Sequence, residues 1–206
     1  MTKVTQAHID ARMGDILGAA LRVFGQKGTA AATMQEIATE AGLSAGAIYR
    51  YFTNKDDLIT AVYENAILEN RRMFREAAEG ATSPLQALTL SGYRAMNDTA
   101  EGGCLDLDLA IASSRYGGAM TGVYRTMLDE VAVEITALLD AAKNAGEIGQ
   151  DLDTRLLARV LMAFIDGLRL QALDPDTAVN PNEAIDLMAN LLRCTAAPSG
   201  LPASAS

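Results

Sequence analysis

The sequence predicts an all-α protein in which a small N-terminal domain of three helices precedes a larger helical domain. Apolar residues recur at three- and four-residue steps through most of the chain, which is the spacing of one helix face. No alternating segment rich in β-branched residues is long enough to predict a strand. We place the first domain at 8–54 and the second at 55–195. The small, Pro- and Ser-rich stretch 196–206 is expected to be disordered.

Composition and charge fit this division. Of the 206 residues, 50% are hydrophobic, which is enough to fill the core of one compact unit or two small ones. The net charge of −9 is uneven, because residues 1–60 hold six basic and six acidic side chains whereas 61–206 hold eleven and twenty. The acidic excess therefore lies in the second domain, where it would repel nucleic acid.

Signals for export, membrane insertion and cysteine chemistry are lacking in the sequence. No apolar leader opens the chain, and no apolar run is long enough to cross a membrane. Cys104 and Cys194 have no metal-ligand spacing and are too few for a disulfide framework, so buried or unreactive thiols are expected. These features indicate a cytoplasmic protein without a membrane partner.

The first two helices are predicted from an apolar stripe and from a capping signal. The stripe ends at Lys27-Gly28 and consists of Ile16, Leu17, Ala20, Leu21 and Phe24. The second helix is expected at 34–41. Thr33 stands directly before it and Glu36 follows three residues later, which predicts a capping box.

A third short helix, expected at 45–52, follows a tight turn. Gly42 can take the positive φ that ends the preceding helix, and Ser44 can cap the next one. The four-residue spacing turns Ile48 and Phe52 inward and leaves Tyr49 and Arg50 near the open face. Two short helices joined in this way are the layout of a helix-turn-helix DNA reader. An ordinary helical hairpin within a bundle is the alternative.

The remaining helices begin and end at recognisable residues. Asn54 predicts the cap of a long helix, with Asp56 and Asp57 in its first turn, where the helix dipole favours acids. Pro84 suits the first turn of another helix. The predicted ranges are 55–80, 84–99, 103–115, 118–145, 153–173 and 181–195.

Residues 12–62 resemble the TetR family of bacterial transcription regulators without a gap. The matching run is TMQEIATEAGLSAGAIYRYFTNKDDL, preceded by FGQKG. The resemblance implies a three-helix DNA-binding domain followed by a connecting helix. It implies that Thr33 and Tyr49 contact phosphates, that Lys55 lies against the DNA backbone, and that the reading helix faces the major groove. The DNA-binding set is Thr33, Ser44, Ala45, Gly46, Ala47, Tyr49, Arg50 and Lys55.

The reading helix departs from many members of that family in beginning with three small residues, 45–47. Small side chains offer few hydrogen bonds to base edges, although Ala can touch a thymine methyl group. Arg50 and Tyr49 are therefore expected to carry more of the direct readout.

The last two helices are too apolar for one small subunit to cover. They are either the central helices of a monomer or helices that pack on their own core and on a second copy. The weaker resemblance in NAGEI and IDGLRLQAL favours the second interpretation, because it implies a four-helix interface between two subunits. The predicted homodimer interface is Leu161, Phe164, Leu168, Ile185, Met188, Leu191 and Leu192.

The same resemblance implies a ligand pocket among the helices between 84 and 170. For each candidate residue, plain core packing is the alternative, because Met and aromatic side chains at helical spacing usually belong to the core. The candidates are Tyr93, Met96, Asn97, Leu107, Ile111, Arg115, Tyr116, Tyr124, Met127 and Phe164.

Three classes of function are compatible with the sequence. The first is a repressor that a small, mostly apolar effector releases from a palindromic double-stranded DNA operator. The second is a DNA-binding regulator without a small effector, controlled by a protein partner. The third, an enzyme, is least favoured, because no nucleophile elbow, metal-ligand cluster or phosphate-binding loop occurs and His8 is the only histidine. No cofactor or metal is expected.

Overall fold

The computed structural model describes residues 6–97, 119–172, 174, 176 and 179–196. Within them the secondary structure is entirely helical, as predicted. The chain divides into two compact units, one of Met1–Asn70 with Asp98–Glu130, the other of Arg71–Asn97 with Val131–Ser206. The predicted helix 103–115, Cys104 and the tail beyond 196 lie outside the described residues.

The first unit begins with three helices and the start of a fourth. They are α1 (Gln6–Ala31), α2 (Met34–Glu40), α3 (Ala45–Ile48) and α4 (Lys55–Gly80). Gly28 interrupts α1 with φ of 77°, at the point where the sequence predicted that the first helix would end. A side chain at this φ would be strained, so glycine permits the change of direction before α2.

The predicted third helix is too long. Residues 45–48 are α-helical, but the next turn tightens, because the Arg50 N–H donates to the Ala47 carbonyl at 3.2 Å and the Tyr51 N–H to the Ile48 carbonyl at 2.9 Å. These three-residue steps are typical of a helix end. Periodicity placed Ile48 and Phe52 inward correctly, since both are buried, but it could not detect the change of hydrogen bonding between them.

One core fills the first unit, and α1 contributes more buried side chains to it than any other helix. Side chains from α2, α3 and α4 complete the same core, which fixes α3 although that helix is only one turn long. The largest buried members are Ile16, Phe24, Ile37, Ile48, Leu58, Val62 and Tyr63.

The second unit contains the end of α4, α5 (Pro84–Asn97), most of α6 (Ala119–Asn144), α7 (Thr154–Gln171) and α8 (Pro181–Arg193). The predicted helices agree with these bounds within a few residues. One core cluster joins α4, α5, α6, α7 and α8, and a smaller one joins α5, α7 and α8. Among the described residues, no helix is both long and apolar enough to span a bilayer.

Local contacts fix the ends of these helices. The Asp153 carboxylate caps α7 by accepting from the N–H groups of Arg155 and Leu156, at 3.1 and 3.0 Å. Beyond α8, the Thr195 hydroxyl accepts from the Gly149 N–H at 2.8 Å. A Cβ at Gly149 would lie 2.8 Å from the Thr195 carbonyl oxygen, so this approach requires glycine. Cys194, at the C-cap of α8, is an exposed free thiol.

Candidate nucleic-acid interface

The turn between α2 and α3 is held by backbone geometry. Gly42 has φ of 67°, and the Leu43 N–H donates to the Ala38 carbonyl at 2.7 Å. Below the turn, Ile48 has no exposed surface. The outer side of α3 is therefore fixed in place although few of its own residues are buried.

The start of α2 is closed by the predicted capping box, which is confirmed. The Glu36 N–H donates to the Thr33 hydroxyl at 3.3 Å, and the Thr33 N–H donates to the Glu36 carboxylate at 3.0 Å. The Thr33 hydroxyl also donates to that carboxylate, at 2.9 Å. Both Thr33 donors are thus used inside the cap, so a phosphate bond would have to displace Glu36.

Lys27 reinforces the same carboxylate from the end of α1. Its ammonium lies 2.6 Å from a Glu36 oxygen. This hydrogen bond, followed by the two from Thr33, lowers the pKa of Glu36 from 4.5 to about 2. This contact of Lys27 carries no sequence signal, because nine residues separate it from Glu36 and no helical spacing connects them.

The outer side of α3 is polar only at its end. Ala45 and Gly46 are exposed, Tyr49 is 55% exposed, and Arg50 is exposed beside it. Ser44 is the N-cap residue of α3, but its side chain makes no capping bond, so the prediction that it does so is wrong. Its backbone is extended and the helix begins there regardless, because buried Ile48 holds the turn.

Arg50 differs from the other cations of this region. Arg12, Arg22 and Lys27 each lie within 3.2 Å of a carboxylate. Among the described residues, Arg50 makes neither an ion pair nor a side-chain hydrogen bond. Its guanidinium, in the turn directly after α3, therefore remains available to an outside acceptor.

Lys55 lies where the sequence placed it, at the first residue of α4, but its ammonium points into the protein. The Nζ atom donates to the carbonyl oxygens of Thr29, Ala30 and Ala32 at 2.9, 3.1 and 3.1 Å. Next to it, the predicted Asn54 cap is confirmed, since its side-chain oxygen accepts from the Asp57 N–H at 2.8 Å.

The candidate pocket residues separate into groups. Tyr93, Met96 and Phe164 belong to the small cluster of α5, α7 and α8, and Asn97 is exposed at the end of α5. The Tyr93 hydroxyl donates to the Asp186 carboxylate, which raises the pKa of Tyr93.

The other candidates are not part of that small cluster. Tyr124 and Met127 pack in the core of the first unit. Leu107, Ile111, Arg115 and Tyr116 lie outside the described residues.

The predicted interface residues also separate, according to their exposure. Four of them, Leu161, Leu168, Ile185 and Leu192, are buried within this chain, and Phe164 and Met188 are half-buried. Leu191 is 54% exposed. The four buried side chains are already covered by their own chain and leave little surface for a second copy, and the interface itself stays a prediction.

A different set of apolar side chains points outward from the same two helices. The sequence showed that both helices are apolar on more sides than one chain was expected to cover, but it could not show which side the chain's own core covers. The outward set is Leu156, Val160 and Leu170 on α7 with Leu187 and Leu191 on α8.

Two family models match the chain. Residues 16–62 match the model of bacterial regulatory proteins of the TetR family, and 109–196 match the C-terminal model of BetI-type transcriptional repressors. The chain belongs to the TetR family. It is thus placed among DNA-binding transcriptional regulators, and the helix-turn-helix prediction is confirmed at that level.

The individual relatives share between 22% and 35% of their residues with this TetR-family chain over the matched regions. The HTH-type transcriptional repressor BepR of Brucella suis is 29% identical over 158 residues, which cover 74% of this chain and 76% of BepR. The uncharacterised regulator YfiR of Bacillus subtilis is 35% identical over 103 residues, and that match spans only 50% of its length. The regulator FadR of Bacillus subtilis, solved in complex with stearoyl-CoA, has 22% identity and a TM-score of 0.69, covering 87% of this chain and 96% of FadR.

Proposed function

We propose that this protein is a homodimeric repressor that binds a palindromic operator through α3 and releases it when a small, mostly apolar molecule binds. The proposal rests most on the exposed turn after α3, where the Arg50 guanidinium, which has no ion pair among the described residues, stands beside Tyr49 and above buried Ile48. Arginine forms paired hydrogen bonds with O6 and N7 of guanine in the major groove.

The charge of the first domain supports binding as a dimer. Residues 1–60 are neutral overall, and most described cations there are already paired. One three-helix domain would make few phosphate contacts, and affinity for DNA depends strongly on their number. Two such domains, one from each subunit and about 34–36 Å apart, would bind two half-sites on one side of the duplex.

The role of repressor is supported by names among the relatives. BepR is a repressor, and the second family model describes BetI-type repressors. In a purified transcription assay, a binding site placed over the promoter should give less transcript as the protein is added. An increase in transcript would indicate an activator.

An apolar effector is supported by the chemistry of the second unit. Its smaller core cluster contains Met96 and Leu168, with Phe164 and Tyr93 packed against it and the Tyr93 hydroxyl bonded to Asp186. Burial of apolar ligand surface provides most of the affinity in such surroundings. FadR, which shares this fold, was solved with a ligand that carries a long acyl chain.

The test of DNA binding begins with selection of duplexes from a random pool by the purified protein. Arg50→Ala should weaken binding to the selected duplex by about 1–3 kcal/mol and binding to random duplex much less, because a base contact is lost. Arg125→Ala is the matched control, since it removes an exposed arginine of α6, which is not one of the helix-turn-helix helices.

Two results would contradict this part of the proposal. Selection that enriches no sequence would argue against a specific DNA reader. Equal affinity of the Arg50 variant and the wild type for the selected duplex would argue against the docking of α3.

A further inference from the structure

The Lys55 ammonium makes three hydrogen bonds to backbone carbonyls of its own chain. A lysine ammonium has three N–H donors. In this structure three carbonyl oxygens lie 2.9–3.1 Å from Nζ, one for each donor. Hydrogen bonds from a charged donor are stronger than neutral ones. The ammonium is therefore saturated by the protein itself.

The three carbonyls belong to one short segment, which is the last turn of α1 after its kink together with Ala32. This segment begins after Gly28, where φ is 77°, and ends at the Thr33 cap. A helix would pair the Thr29 carbonyl with the Thr33 N–H, but that N–H donates to Glu36. Helix ends leave such carbonyls without partners. Lys55 supplies the donors for them from a position 23 to 26 residues further along the chain.

The same segment determines where α2 starts. Thr33 follows directly after the Ala32 carbonyl, and its capping box fixes the first turn of α2. The turn at Gly42 then carries α3. A clamp on residues 29–32 thus sets the direction in which both helix-turn-helix helices leave α1, and it ties them to the first residue of α4.

We propose that Lys55 is a positioning residue for the DNA-reading helices. It holds the segment 29–32 against the start of α4, and it contributes to operator affinity through the orientation of α2 and α3. This role replaces the contact with the DNA backbone that the family resemblance implied for it. The inference rests on the proposed DNA binding.

The experiment compares Lys55→Met, Lys55→Arg and, as a control, Arg12→Gln. The methionine keeps the length of the stem and removes all donors, while arginine keeps the charge in a planar group that cannot direct donors in the same way. Arg12→Gln removes a positive charge from the same unit, where the arginine pairs with the Asp15 carboxylate of its own helix. Each protein is titrated with the selected duplex and with random duplex at several KCl concentrations.

Lys55→Met should lower affinity for the selected duplex by about tenfold or more, which is the size expected when charged hydrogen bonds are lost. Affinity for random duplex and its salt dependence should stay unchanged. Lys55→Arg should not restore selectivity. Hydrogen exchange of the amides at 32–38 should be faster in both Lys55 variants, and Arg12→Gln should retain the wild-type exchange rates and the wild-type ratio of affinities for the two duplexes.

Opposite results would overturn the inference. A phosphate contact would lower binding to both duplexes alike and reduce the salt slope by about one per subunit. Full affinity of Lys55→Arg would mean that charge alone is needed. If Lys55→Met fails to fold, the ammonium resonance of Lys55 in ¹⁵N spectra of the wild type decides instead. It should not change on addition of the selected duplex, and a shift would contradict the clamp.

The clamp can also be tested separately from the proposed function. If the wild type selects no DNA, the repressor proposal fails. Unchanged hydrogen exchange at 32–38 in Lys55→Met would then show that the positioning role fails as well, whereas faster exchange would retain the clamp without its role in DNA binding.

Discussion

The Glu36 carboxylate shows how much a single exposed residue can organise. It accepts hydrogen bonds from the Thr33 N–H, the Thr33 hydroxyl and the Lys27 ammonium. Three donors around one carboxylate favour its charged form, which explains why its pKa falls to about 2. The charge of Glu36 therefore contributes to the stability of the start of α2.

This contribution has a defined pH window. Because the folded-state pKa is the lower one, the stabilisation is complete above the ordinary pKa of 4.5 and is lost as pH falls toward 2. Glu36→Gln keeps an acceptor for the capping box but has no charge. The difference in unfolding free energy between wild type and variant, measured by urea titration, should shrink between these two pH values.

A control variant isolates the capping role of this charge. Glu64→Gln removes an exposed glutamate of α4 that takes no part in the cap. The difference in unfolding free energy between Glu64→Gln and the wild type should be smaller, and it should not shrink over the pH range in which Glu36 becomes protonated. A Glu36→Gln difference that stayed constant down to pH 2 would mean that the charge contributes nothing.

Residue roles were predictable where they depend on neighbours in sequence. The capping box of Thr33 and Glu36 and the cap at Asn54 could be recognised because each spans only four residues. The partners of Lys55 could not, since they lie 23 to 26 residues away and are backbone atoms, which carry no sequence signal. The same limit hid the pairing of Lys27 with Glu36.

At the scale of helices, periodicity predicted nearly every described element but not its orientation. Helix α8 has apolar residues on two sides, and burial shows that Ile185 and Leu192 face the chain's own core whereas Leu187 and Leu191 face outward. In the sequence both sides of α8 are equally apolar, so the sequence alone does not show which side is buried. Only the positions of the other helices decide between them.

The outward side of α8 provides the test of the proposed dimer. Leu187→Glu combined with Leu191→Glu should give monomers in sedimentation while helix content in circular dichroism stays the same, because both leucines are more than half exposed. Binding to the selected duplex should fall with loss of the dimer. Met188 is left unchanged, since it packs against the chain's own core.

A leucine elsewhere serves as the control for these charges. Leu68 of α4 is 62% exposed and lies in the other unit, so Leu68→Glu should leave the assembly as it is. A Leu187/Leu191 double variant that still sedimented as a dimer would exclude this side of α8 as the interface.

At the scale of the whole molecule, two helices belong to both units. The division into units falls within α4 at residue 70 and within α6 at residue 130. The sequence predicted both helices, but a continuous apolar pattern does not reveal where one core stops and the next begins. A continuous helix gives a direct covalent route by which an event in the second unit can affect the first.

That route motivates the prediction for the effector. A molecule that binds only folded protein raises its melting temperature, and one that favours a conformation unable to bind DNA should also release the duplex. We expect molecules with a long apolar part to do both, and stearoyl-CoA, whose acyl chain is apolar, is the first to be tested because FadR was solved with it. Thermal shift followed by a DNA-release assay measures this.

The outcome distinguishes the two kinds of regulator. Free coenzyme A, which lacks the acyl chain, is the matched control and should have little effect. Molecules that stabilise the protein but never release DNA would contradict the effector proposal and favour control by a protein partner.

The balanced charge of the first domain has a consequence for how such a protein would find its site in a cell. A genome offers roughly 10⁶ to 10⁹ competing sequences, and attraction to their phosphates sequesters strongly basic regulators. With six basic and six acidic residues in its first sixty, this chain would spend little of its time on unrelated DNA. Few copies per cell would then suffice to occupy one operator, and a modest amount of effector would suffice to vacate it.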